Sequence, residues 1–327
     1  MATLDLPLDQ LKQYNGRNPR PADFDAYWER ALRELQSTEA PPEIVPAAFQ
    51  APGADCMHLF FTGTGGARVH AKFARPKGCS PDHPCPALLW FHGYTGNSGD
   101  WLSLLGWVAM GFAVAALDCR GQGGLSEDNL QVKGTTRSGH IIRGIQDDPD
   151  KLYFRNVFLD TAQLAHIVMQ MPEIDTDRVG AGGGSQGGAL SLACAALEPR
   201  IRRVAPAFPF LCDYQRVWEM DLAKDAYGEL TEFFRLHDPT HAQASLWFTS
   251  LGYIDVQFLA PRIRGEVLMA VGMMDQTCPP SSQFAAYNKL TAPKQLVIYP
   301  DFAHEALPGF LDRIAQFMLG MGEAACD

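Results

Sequence analysis

The chain of 327 residues is long enough for one large hydrophobic core or for two modest domains. Its content of 46% hydrophobic and 20% charged residues excludes a chain that is disordered by composition. The formal net charge of −10, with histidine counted as neutral, argues against nucleic acid or an anionic membrane as the partner.

The N-terminal residues, MATLDLPLDQLKQYNGR, contain no positively charged leader followed by an apolar run, so we expect no signal peptide. No uninterrupted apolar stretch reaches the length of a membrane span. The eight cysteines form no CxxC pair, and we expect reduced, buried, structural thiols and a cytoplasmic location. A bridge between Cys79 and Cys85 is geometrically possible, but the missing secretory signal disfavours it.

The first predicted element is an amphipathic helix in residues 20–36. The segment DFDAYWERALREL places Phe24 and Trp28 on one face, together with Leu32 or Leu35. A proline-rich stretch then ends the helix.

Strands follow, first as a hairpin and then as buried runs. Alternation in residues 56–75, with a turn at TGTGG, predicts an antiparallel hairpin. Five apolar runs then predict strands buried on both faces, as in a parallel sheet. They are CPALLWFHG (85–93), GFAVAALD (111–118), RVGAGGG (178–184), EVLMAVG (266–272) and QLVIYP (295–300). Helical periodicity separates several of them, with Phe158, Ala162, Ala165 and Met169 on one face. We therefore predict an α/β fold with a mostly parallel, doubly wound sheet and helices on both faces.

Two stretches do not show this alternation of apolar strands and amphipathic helices. Residues 120–152 are rich in Gly, Asp and Arg, and a loop of that length is usually functional or forms an interface. Residues 206–262 are aromatic-rich and partly helical, and we interpret them as an insertion over the edge of the sheet. Because no repeat, low-complexity tract or linker is visible, we predict a single domain over residues 1–327, with residues 1–40 as an N-terminal extension.

The segment GGGSQGG lies between a predicted strand and a helix-compatible run, ALSLACAAL. Gly183, Ser185 and Gly187 fit G-x-S-x-G, the nucleophile elbow, in which the serine adopts an unfavourable backbone conformation and glycines let strand and helix approach. A phosphate loop would need GxxxxGK[ST], and a Rossmann glycine motif should lie near the first βα turn. The pentapeptide alone is a weak signal, but its context makes Ser185 a candidate nucleophile.

A serine hydroxyl needs a base, and the base needs an orienting carboxylate. When an elbow lies on an open α/β sheet, these partners follow the serine in the order acid, then histidine. Of the nine histidines, only His237, His241 and His304 follow Ser185. His304 lies in the short loop PDFAHE after a predicted strand, where a catalytic histidine is expected. His237 and His241 have the i, i+4 spacing of a metal pair, but Pro239 between them and the lack of a third ligand favour ordinary surface histidines.

Asp275 is the predicted acid, because it follows the buried run EVLMAVG and parallel sheets place their chemistry at the carboxyl ends of strands. Asp255 and Asp301 are competitors, and a turn-forming aspartate is the alternative interpretation of Asp275. Asp301 is close to His304 in sequence, yet an acid at the end of a neighbouring strand is the expected geometry.

The tetrahedral intermediate of acyl transfer needs N–H donors, each worth roughly 3–4 kcal/mol. One donor should be the residue after the nucleophile, which is Gln186, and the other should come from the loop FHGYTGNSGDW, where Tyr94 is the natural candidate. His92 precedes the serine, and we interpret it as support for this loop. Arg120 could contact substrate, but a guanidinium that ties its loop to a carboxylate or to carbonyls is favoured.

Several motifs together resemble carbohydrate esterase family 7, the acetyl xylan esterases and cephalosporin C deacetylases. They span essentially the whole chain and are DLPLDQLKQY, DFDAYWE, FHGYTG with DWL, LDCRGQGG, HIIRGI, GGGSQGG, PFLCDY, DQTCPPS, AAYN and the late HE. RGQG and GGSQGG with the trailing DxxCPP are specific in combination, whereas each alone is not.

This resemblance implies an α/β-hydrolase fold and a serine esterase that removes acetyl groups from small acetylated substrates, such as acetylated xylo-oligosaccharides and cephalosporin C-type acetates. It implies Ser185 as nucleophile, His304 as base, Asp275 as orienting acid, and the amides of Tyr94 and Gln186 as oxyanion hole. It also implies a homohexamer with the loop 120–152 at subunit contacts. No metal and no organic cofactor are expected.

Two other functions are weighed against this one. A serine peptidase or a broader carboxylesterase of the same fold is the nearest alternative, although oligopeptidases usually carry a large additional domain for which this chain has no room. A hydrolase-like binding protein that has lost catalysis is the second, and the complete Ser/Asp/His set speaks against it.

Overall fold

Nine strands form one sheet in the computed structural model, which describes residues 4–37, 40–133 and 140–321. In chain order they are β1 (Glu43–Pro46), β2 (Ala54–Thr62), β3 (Arg68–Pro76), β4 (Cys85–Phe91), β5 (Ala113–Asp118), β6 (Ile174–Gly184), β7 (Arg203–Ala207), β8 (Glu266–Gly272) and β9 (Lys294–Tyr299). Their spatial order is β1-β2-β3-β5-β4-β6-β7-β8-β9. The five pairings from β5 to β9 are parallel, and the three that join β1, β2, β3 and β5 are antiparallel. The predicted α/β class with a mostly parallel sheet is confirmed.

Eleven α-helices accompany the sheet in these described ranges. They are α1 (Leu8–Leu11), α2 (Phe24–Ser37), α3 (Trp101–Ala109), α4 (Tyr153–Gln170), α5 (Gln186–Leu197), α6 (Tyr214–Glu219), α7 (Gly228–His237), α8 (Ala244–Gly252), α9 (Val256–Leu259), α10 (Pro280–Lys289) and α11 (Phe310–Leu319). Short 3₁₀ turns occur at Thr64–Gly66, Pro149–Lys151, Asp225–Tyr227 and Ala260–Arg262. Within the described part of the chain, every helix is too short or too polar to traverse a bilayer.

Both faces of the sheet are buried by helices. Along β4, Leu89 packs into a core that includes residues of α2, α4, α5 and α10, whereas its neighbour Leu88 packs into a second core with α3 and α11. Successive side chains of a strand point to opposite faces, so a strand covered on both sides must be apolar throughout. This explains why the predicted central strands read as continuous apolar runs.

The predicted N-terminal helix is confirmed as α2, and its buried face contains Phe24, Trp28 and Leu35. The Trp28 ring stacks on Phe158 of α4 with centroids 6.0 Å apart, and its Nε1 donates to the Tyr253 carbonyl oxygen at 3.1 Å. The extension is therefore anchored against both the sheet-covering helix α4 and the segment that follows β7.

Strands β1 and β7 carry no sequence signal and were not predicted. All four residues of β1 are exposed at the sheet edge, so no burial pattern marks them. Strand β7 has only five residues and contains Pro206, which lacks the N–H that a central strand normally uses. Because β7 runs to Ala207, the segment predicted as an insertion at 206–262 begins inside a strand, and helices α6 to α9 follow it.

The long loop at 120–152 has little regular structure, as predicted. Among its described residues only the 3₁₀ turn Pro149–Lys151 is regular, and residues 134–139 lie outside the described part of the chain. A salt bridge between Arg143 and Asp128 at 2.6 Å joins two parts of this loop to each other.

The prediction that Cys79 and Cys85 are unpaired is wrong. They form a disulfide with their Cα atoms 5.6 Å apart. A tight turn explains the pairing, because the amides of Ser80 and His83 exchange hydrogen bonds with each other's carbonyl oxygens and bring the chain back on itself. The other cysteines among the described residues are free and buried, as expected; they are Cys56, Cys119, Cys194, Cys212 and Cys278.

Candidate active site

Ser185 occupies the sharp turn between β6 and α5. Its φ of 56° and ψ of −119° lie in a region that residues with side chains rarely adopt, at a cost on the order of 1–3 kcal/mol. The Ser185 amide donates to the Ala207 carbonyl at 3.0 Å, and the Ser185 carbonyl accepts from the amides of Ala189 at 3.1 Å and Phe210 at 3.0 Å. These three hydrogen bonds hold the strained serine at the carboxyl end of the strand.

The glycines beside Ser185 are required by the close approach of strand β4. A Cβ atom on either Gly183 or Gly187 would overlap the carbonyl oxygen of Phe91, the last residue of that strand. The overlapped atom belongs to the backbone of a central strand and cannot rotate away. The G-x-S-x-G spacing therefore serves the packing of elbow against sheet, as the sequence pattern predicts.

Three side chains from three strand ends meet at this turn. His304 follows β9, and its Nε2 lies 2.9 Å from Ser185 Oγ. Asp275 follows β8, and its Oδ2 lies 2.8 Å from His304 Nδ1. The structure thus brings together the predicted nucleophile, base and acid, although 119 residues separate the serine from the histidine.

The surroundings fix the orientation of Asp275 and His304. Asp275 is fully buried, and its Oδ1 accepts from the amides of Thr277 at 2.9 Å and Cys278 at 2.8 Å. The carboxylate accepts a hydrogen bond from His304 Nδ1–H, which leaves Nε2 as the nitrogen that accepts the serine proton. Phe208 packs edge-on against the imidazole with ring centroids 4.7 Å apart, so the ring has one stable orientation.

The competing acids do not contact His304. Asp255 is buried at the N-terminus of α9, where its Oδ1 accepts from the Gln257 amide at 3.2 Å and its Oδ2 from the Asp213 amide at 3.0 Å. Asp301 is exposed. Asp255 therefore caps a helix, and the choice of Asp275 over both competitors agrees with the geometry.

His237 and His241 are exposed side chains that pack on aromatic rings. The His237 ring lies 5.2 Å from Phe233 and the His241 ring 4.9 Å from Phe234. Within the described ranges, neither belongs to a cluster of potential metal ligands.

The two predicted oxyanion donors come from the segments that follow the neighbouring strands β4 and β6. Gln186 is the first residue of α5, where backbone N–H groups have no intrahelical acceptor. Tyr94 lies in the loop after β4, the strand next to β6. Across residues 4–37, 40–133 and 140–321, neither backbone amide donates a hydrogen bond to the protein. Both are therefore available to a substrate oxygen, and the role itself stays a prediction.

Gln122, which had no predicted role within the motif RGQG, connects the two donor segments. Its Oε1 accepts from the amide of Thr95, next to Tyr94, at 2.9 Å. Its Nε2 donates to the Gln186 side chain at 2.8 Å and to the Tyr153 hydroxyl at 3.1 Å. No periodicity marks such a residue, because its partners come from three distant segments.

Arg120 and His92 have the structural roles that were favoured. Arg120 is 1% exposed, and its Nε and Nη2 bind both carboxylate oxygens of Asp160 at 2.7 and 2.5 Å, while its Nη1 donates to the Thr64 carbonyl. His92 accepts from the Cys119 amide at 3.0 Å, which ties the loop after β4 to the end of β5. Burial lowers the pKa of His92, so it stays neutral in this role.

Cys278 is a second residue that the sequence analysis did not assign. It is fully buried beside the triad, and burial together with the charge of Asp275 raises the pKa of its thiol. Among the described residues, Asp275, Cys278 and His304 form a group whose ligand atoms all lie within 4.8 Å of one another. Since two of them already hold the hydrogen bonds of the triad, a cation bound there would replace the proton relay.

Comparison with known proteins gives consistent matches over nearly the whole chain. Residues 1–321 match the family described as Acetyl xylan esterase (AXE1). Acetyl Xylan Esterase 1 from Thermoanaerobacterium sp. JW/SL YS485 is 56% identical, with a TM-score of 0.96 over 98% of this chain and 100% of that one. The acetyl xylan esterase from Paenibacillus sp. R4 is 35% identical, with a TM-score of 0.91 over 97% and 100% of the two chains.

A curated relative is longer than this chain. The acetyl esterase Axe7A from Xylanibacter ruminicola is 26% identical over 301 residues, which cover 90% of this chain and 65% of that protein. The two structural relatives, by contrast, are matched over their full length.

Proposed function

Because the chain belongs to the acetyl xylan esterase family, we propose that it is a serine esterase that removes acetyl groups from small acetylated substrates such as acetylated xylo-oligosaccharides. The observation that carries this proposal is the position of His304, whose two ring nitrogens lie 2.9 Å from Ser185 Oγ and 2.8 Å from Asp275 Oδ2. Hydrogen bonds thus connect the nucleophile to the base and the base to the orienting acid at the end of the sheet, as acyl transfer requires.

In the first half of the reaction, Ser185 Oγ attacks the acetyl carbonyl carbon while its proton passes to His304 Nε2. Asp275 stabilises the imidazolium that forms, and its burial strengthens this interaction because little water screens it. The carbonyl oxygen becomes an oxyanion, and the amides of Tyr94 and Gln186 donate to it. The N-terminus of α5 adds a favourable dipole at the same place.

In the second half, the tetrahedral intermediate collapses and the bond to the sugar oxygen breaks. His304 gives its proton to that oxygen, so the sugar leaves as an alcohol and the acetyl group stays on Ser185. Water then attacks the acetyl carbonyl, with His304 as the base, and a second tetrahedral intermediate releases acetate. The same two amides serve both intermediates, because the oxyanion forms at the same position.

The test is the Ser185→Ala variant with p-nitrophenyl acetate as substrate. We expect kcat to fall by roughly 10⁴–10⁶-fold, because the covalent route is lost and only oxyanion binding remains. Ser191→Ala is the matched control, since Ser191 lies on the same helix and donates only to the Gly188 carbonyl at 2.7 Å. Turnover near the wild-type rate in Ser185→Ala would refute the proposal.

Aromatic residues adjoin the elbow and the histidine of the site. Phe210 is hydrogen-bonded to the elbow through its amide, and its ring lies 5.2 Å from that of Tyr94. Phe208 lies beside His304. On the family match we propose that activity is highest on acetate esters, and on the family resemblance that it extends to cephalosporin C-type acetates. Rates on p-nitrophenyl esters of increasing chain length, on cephalosporin C and on a peptide p-nitroanilide separate this specificity from that of a broad carboxylesterase or a peptidase.

We also propose, on the family resemblance alone, that the chain assembles as a homohexamer with the loop 120–152 at its contacts. Light scattering after size-exclusion chromatography tests the mass. A cytoplasmic location stays a prediction, and the Cys79–Cys85 disulfide does not favour it, because disulfides are rare in reducing compartments. Cell fractionation tests it.

A further inference from the structure

Glu229 is a buried carboxylate close to the predicted oxyanion loop. It lies in the first turn of α7, is 4% exposed, and forms no ion pair with a lysine or arginine of the described residues. Its Oε1 accepts from the Tyr94 hydroxyl at 2.7 Å and from the His140 amide at 3.0 Å, and its Oε2 accepts from the Ile142 amide at 3.0 Å. The carboxylate therefore joins three segments that are far apart in the chain.

Burying a carboxylate such as Glu229 in the core is energetically unfavourable. Moving a carboxylate out of water costs several kcal/mol even after the protein relaxes, and only well-placed hydrogen bonds offset this. Burial raises the pKa of Glu229 to about 7, in agreement with that cost. A neutral side chain could fill the same space more cheaply, so the directed acceptor oxygens themselves must matter.

The contact with Tyr94 shows which side chain the carboxylate oxygens of Glu229 hold in place. The Tyr94 hydroxyl donates to Glu229 and accepts from the His140 amide at 2.6 Å, so both capacities of the phenol are used. The Tyr94 ring also packs against Phe210 and Phe154, with centroids 5.2 and 6.4 Å away. The far end of the side chain is therefore fixed.

The near end of Tyr94 is fixed as well. The next amide along the chain, that of Thr95, donates to Gln122 at 2.9 Å. With the side chain held at Glu229 and the following peptide held at Gln122, the Tyr94 backbone has little freedom to rotate. Its amide donates to no acceptor among the described residues, so no hydrogen bond within the protein competes with a substrate oxygen for it.

We propose that Glu229 is a positioning residue for the oxyanion hole, whose carboxylate anchors the Tyr94 phenol so that the Tyr94 amide is aimed at the substrate carbonyl oxygen. This inference rests on the proposed serine esterase function. It differs from a merely structural role, in which Glu229 would only fasten α7 to the segment at 140–142, because it requires the effect of Glu229 to pass through Tyr94.

The experiment is a double-mutant cycle with Glu229→Gln and Tyr94→Phe. Tyr94→Phe keeps the ring and the backbone amide and removes only the anchored hydroxyl. We expect each single variant to lower kcat for p-nitrophenyl acetate about 10-fold, with KM changed less than about 3-fold, because a misplaced donor weakens the transition state more than the bound substrate. The double variant should be no slower than the slower single variant, since both substitutions break the same link.

A transition-state analogue supplies an independent readout. Affinity for a trifluoromethyl ketone, which forms a tetrahedral adduct with a reactive serine, should fall in parallel with kcat in both single variants. Glu198→Gln is the control, because Glu198 is a mostly buried carboxylate that pairs with Arg200 at the far end of α5. It should leave kcat and analogue affinity unchanged.

The possible outcomes separate this inference from the proposed function. Wild-type kcat and analogue affinity in Tyr94→Phe would overturn the inference, and this variant decides the question even if Glu229→Gln does not fold. Fully additive losses in the double variant would overturn it too. In either case Ser185→Ala would still be inactive if the proposed function holds, whereas an inactive wild-type enzyme would overturn the function itself.

Discussion

Individual carboxylates in this protein have different roles because of the atoms around them. Asp275 accepts hydrogen bonds from two backbone amides and from the imidazole of His304, which is the arrangement that the proposed acid needs. Asp255 accepts amides and the Gln257 side chain at 2.8 Å, and it faces the buried Asp213. The sequence shows both as aspartates near predicted element ends, and only the three-dimensional arrangement separates the proposed catalytic acid from a helix cap.

The buried Asp255 leads to a prediction for stability against pH. Burial, and then the charge of Asp213, raise the pKa of Asp255 from 3.8 to about 7, and hydrogen bonds from the Gln257 side chain and from the amides of Asp213 and Gln257 offset only part of this shift. The folded state therefore binds a proton between about pH 4 and pH 7 that the unfolded state has already lost. By linkage, this group lowers the free energy of unfolding as the pH rises through that window, by on the order of 4 kcal/mol at most.

We expect the Asp255→Asn variant to show a smaller fall in melting temperature than the wild type between pH 5 and pH 8, measured by calorimetry. It should retain the wild-type kcat at pH 7, because Asp255 does not contact His304. Asp301→Asn, at an exposed position, is the control and should reproduce the wild-type pH dependence. An unchanged slope in Asp255→Asn would contradict this account of the buried carboxylate.

At the scale of elements, the elbow works because α5 starts against the end of β4 without any side chain between them. Two glycine-to-alanine variants test this packing, one at Gly187, where a Cβ has no room, and one at Gly106, where it has. Gly187→Ala places a Cβ on the Phe91 carbonyl, so we expect a loss of about 1–3 kcal/mol and a fall in kcat of up to about 10²-fold as Ser185 shifts.

Gly106→Ala should have the opposite effect on stability. Gly106 is exposed within α3, and a Cβ there would meet no atom within 4 Å. Alanine is the better helix former, so we expect a gain of about 0.5–1 kcal/mol with unchanged kcat. Urea denaturation measures both variants. Equal stability of Gly187→Ala and the wild type would show that the elbow tolerates a side chain and would remove the packing explanation of the motif.

Elements with a strong local signal were predictable from sequence, and weak ones were not. The central strands are buried on both faces, so their apolar runs mark them, and the amphipathic face of α2 marks the N-terminal helix. Strand β1 is exposed throughout, and β7 is short and contains Pro206, so their places depend on pairing with neighbouring strands. The Cys79–Cys85 disulfide depends on a turn that composition does not reveal.

In the site, too, residues with a local sequence signal could be predicted and residues without one could not. Ser185 has a local motif, and His304 and Asp275 follow strands in the expected order, so all three were named from sequence. Gln122 and Glu229 have no such pattern, because each acts through contacts with Tyr94 or Thr95 that exist only after folding. Their contribution could be found only in the structure.

At the scale of the whole molecule, one sheet brings together residues that lie far apart in the chain. The ends of β6, β8 and β9 carry the serine, the acid and the histidine, and β4 carries the loop with Tyr94. Helices on both faces stabilise this edge, and α7 adds Glu229 from the segment after β7. The proposed esterase activity is therefore a property of the assembled sheet, and no single segment contains it.

We expect this arrangement to transfer an acetyl group through Ser185. The most direct measurement is mass spectrometry of the enzyme quenched with acid within milliseconds of mixing with p-nitrophenyl acetate, followed by peptide mapping. We expect one acetyl group per chain on the peptide that contains Ser185, formed and lost at rates compatible with turnover. Steady turnover without any acetylated Ser185, or with the acetyl group on another residue, would contradict it.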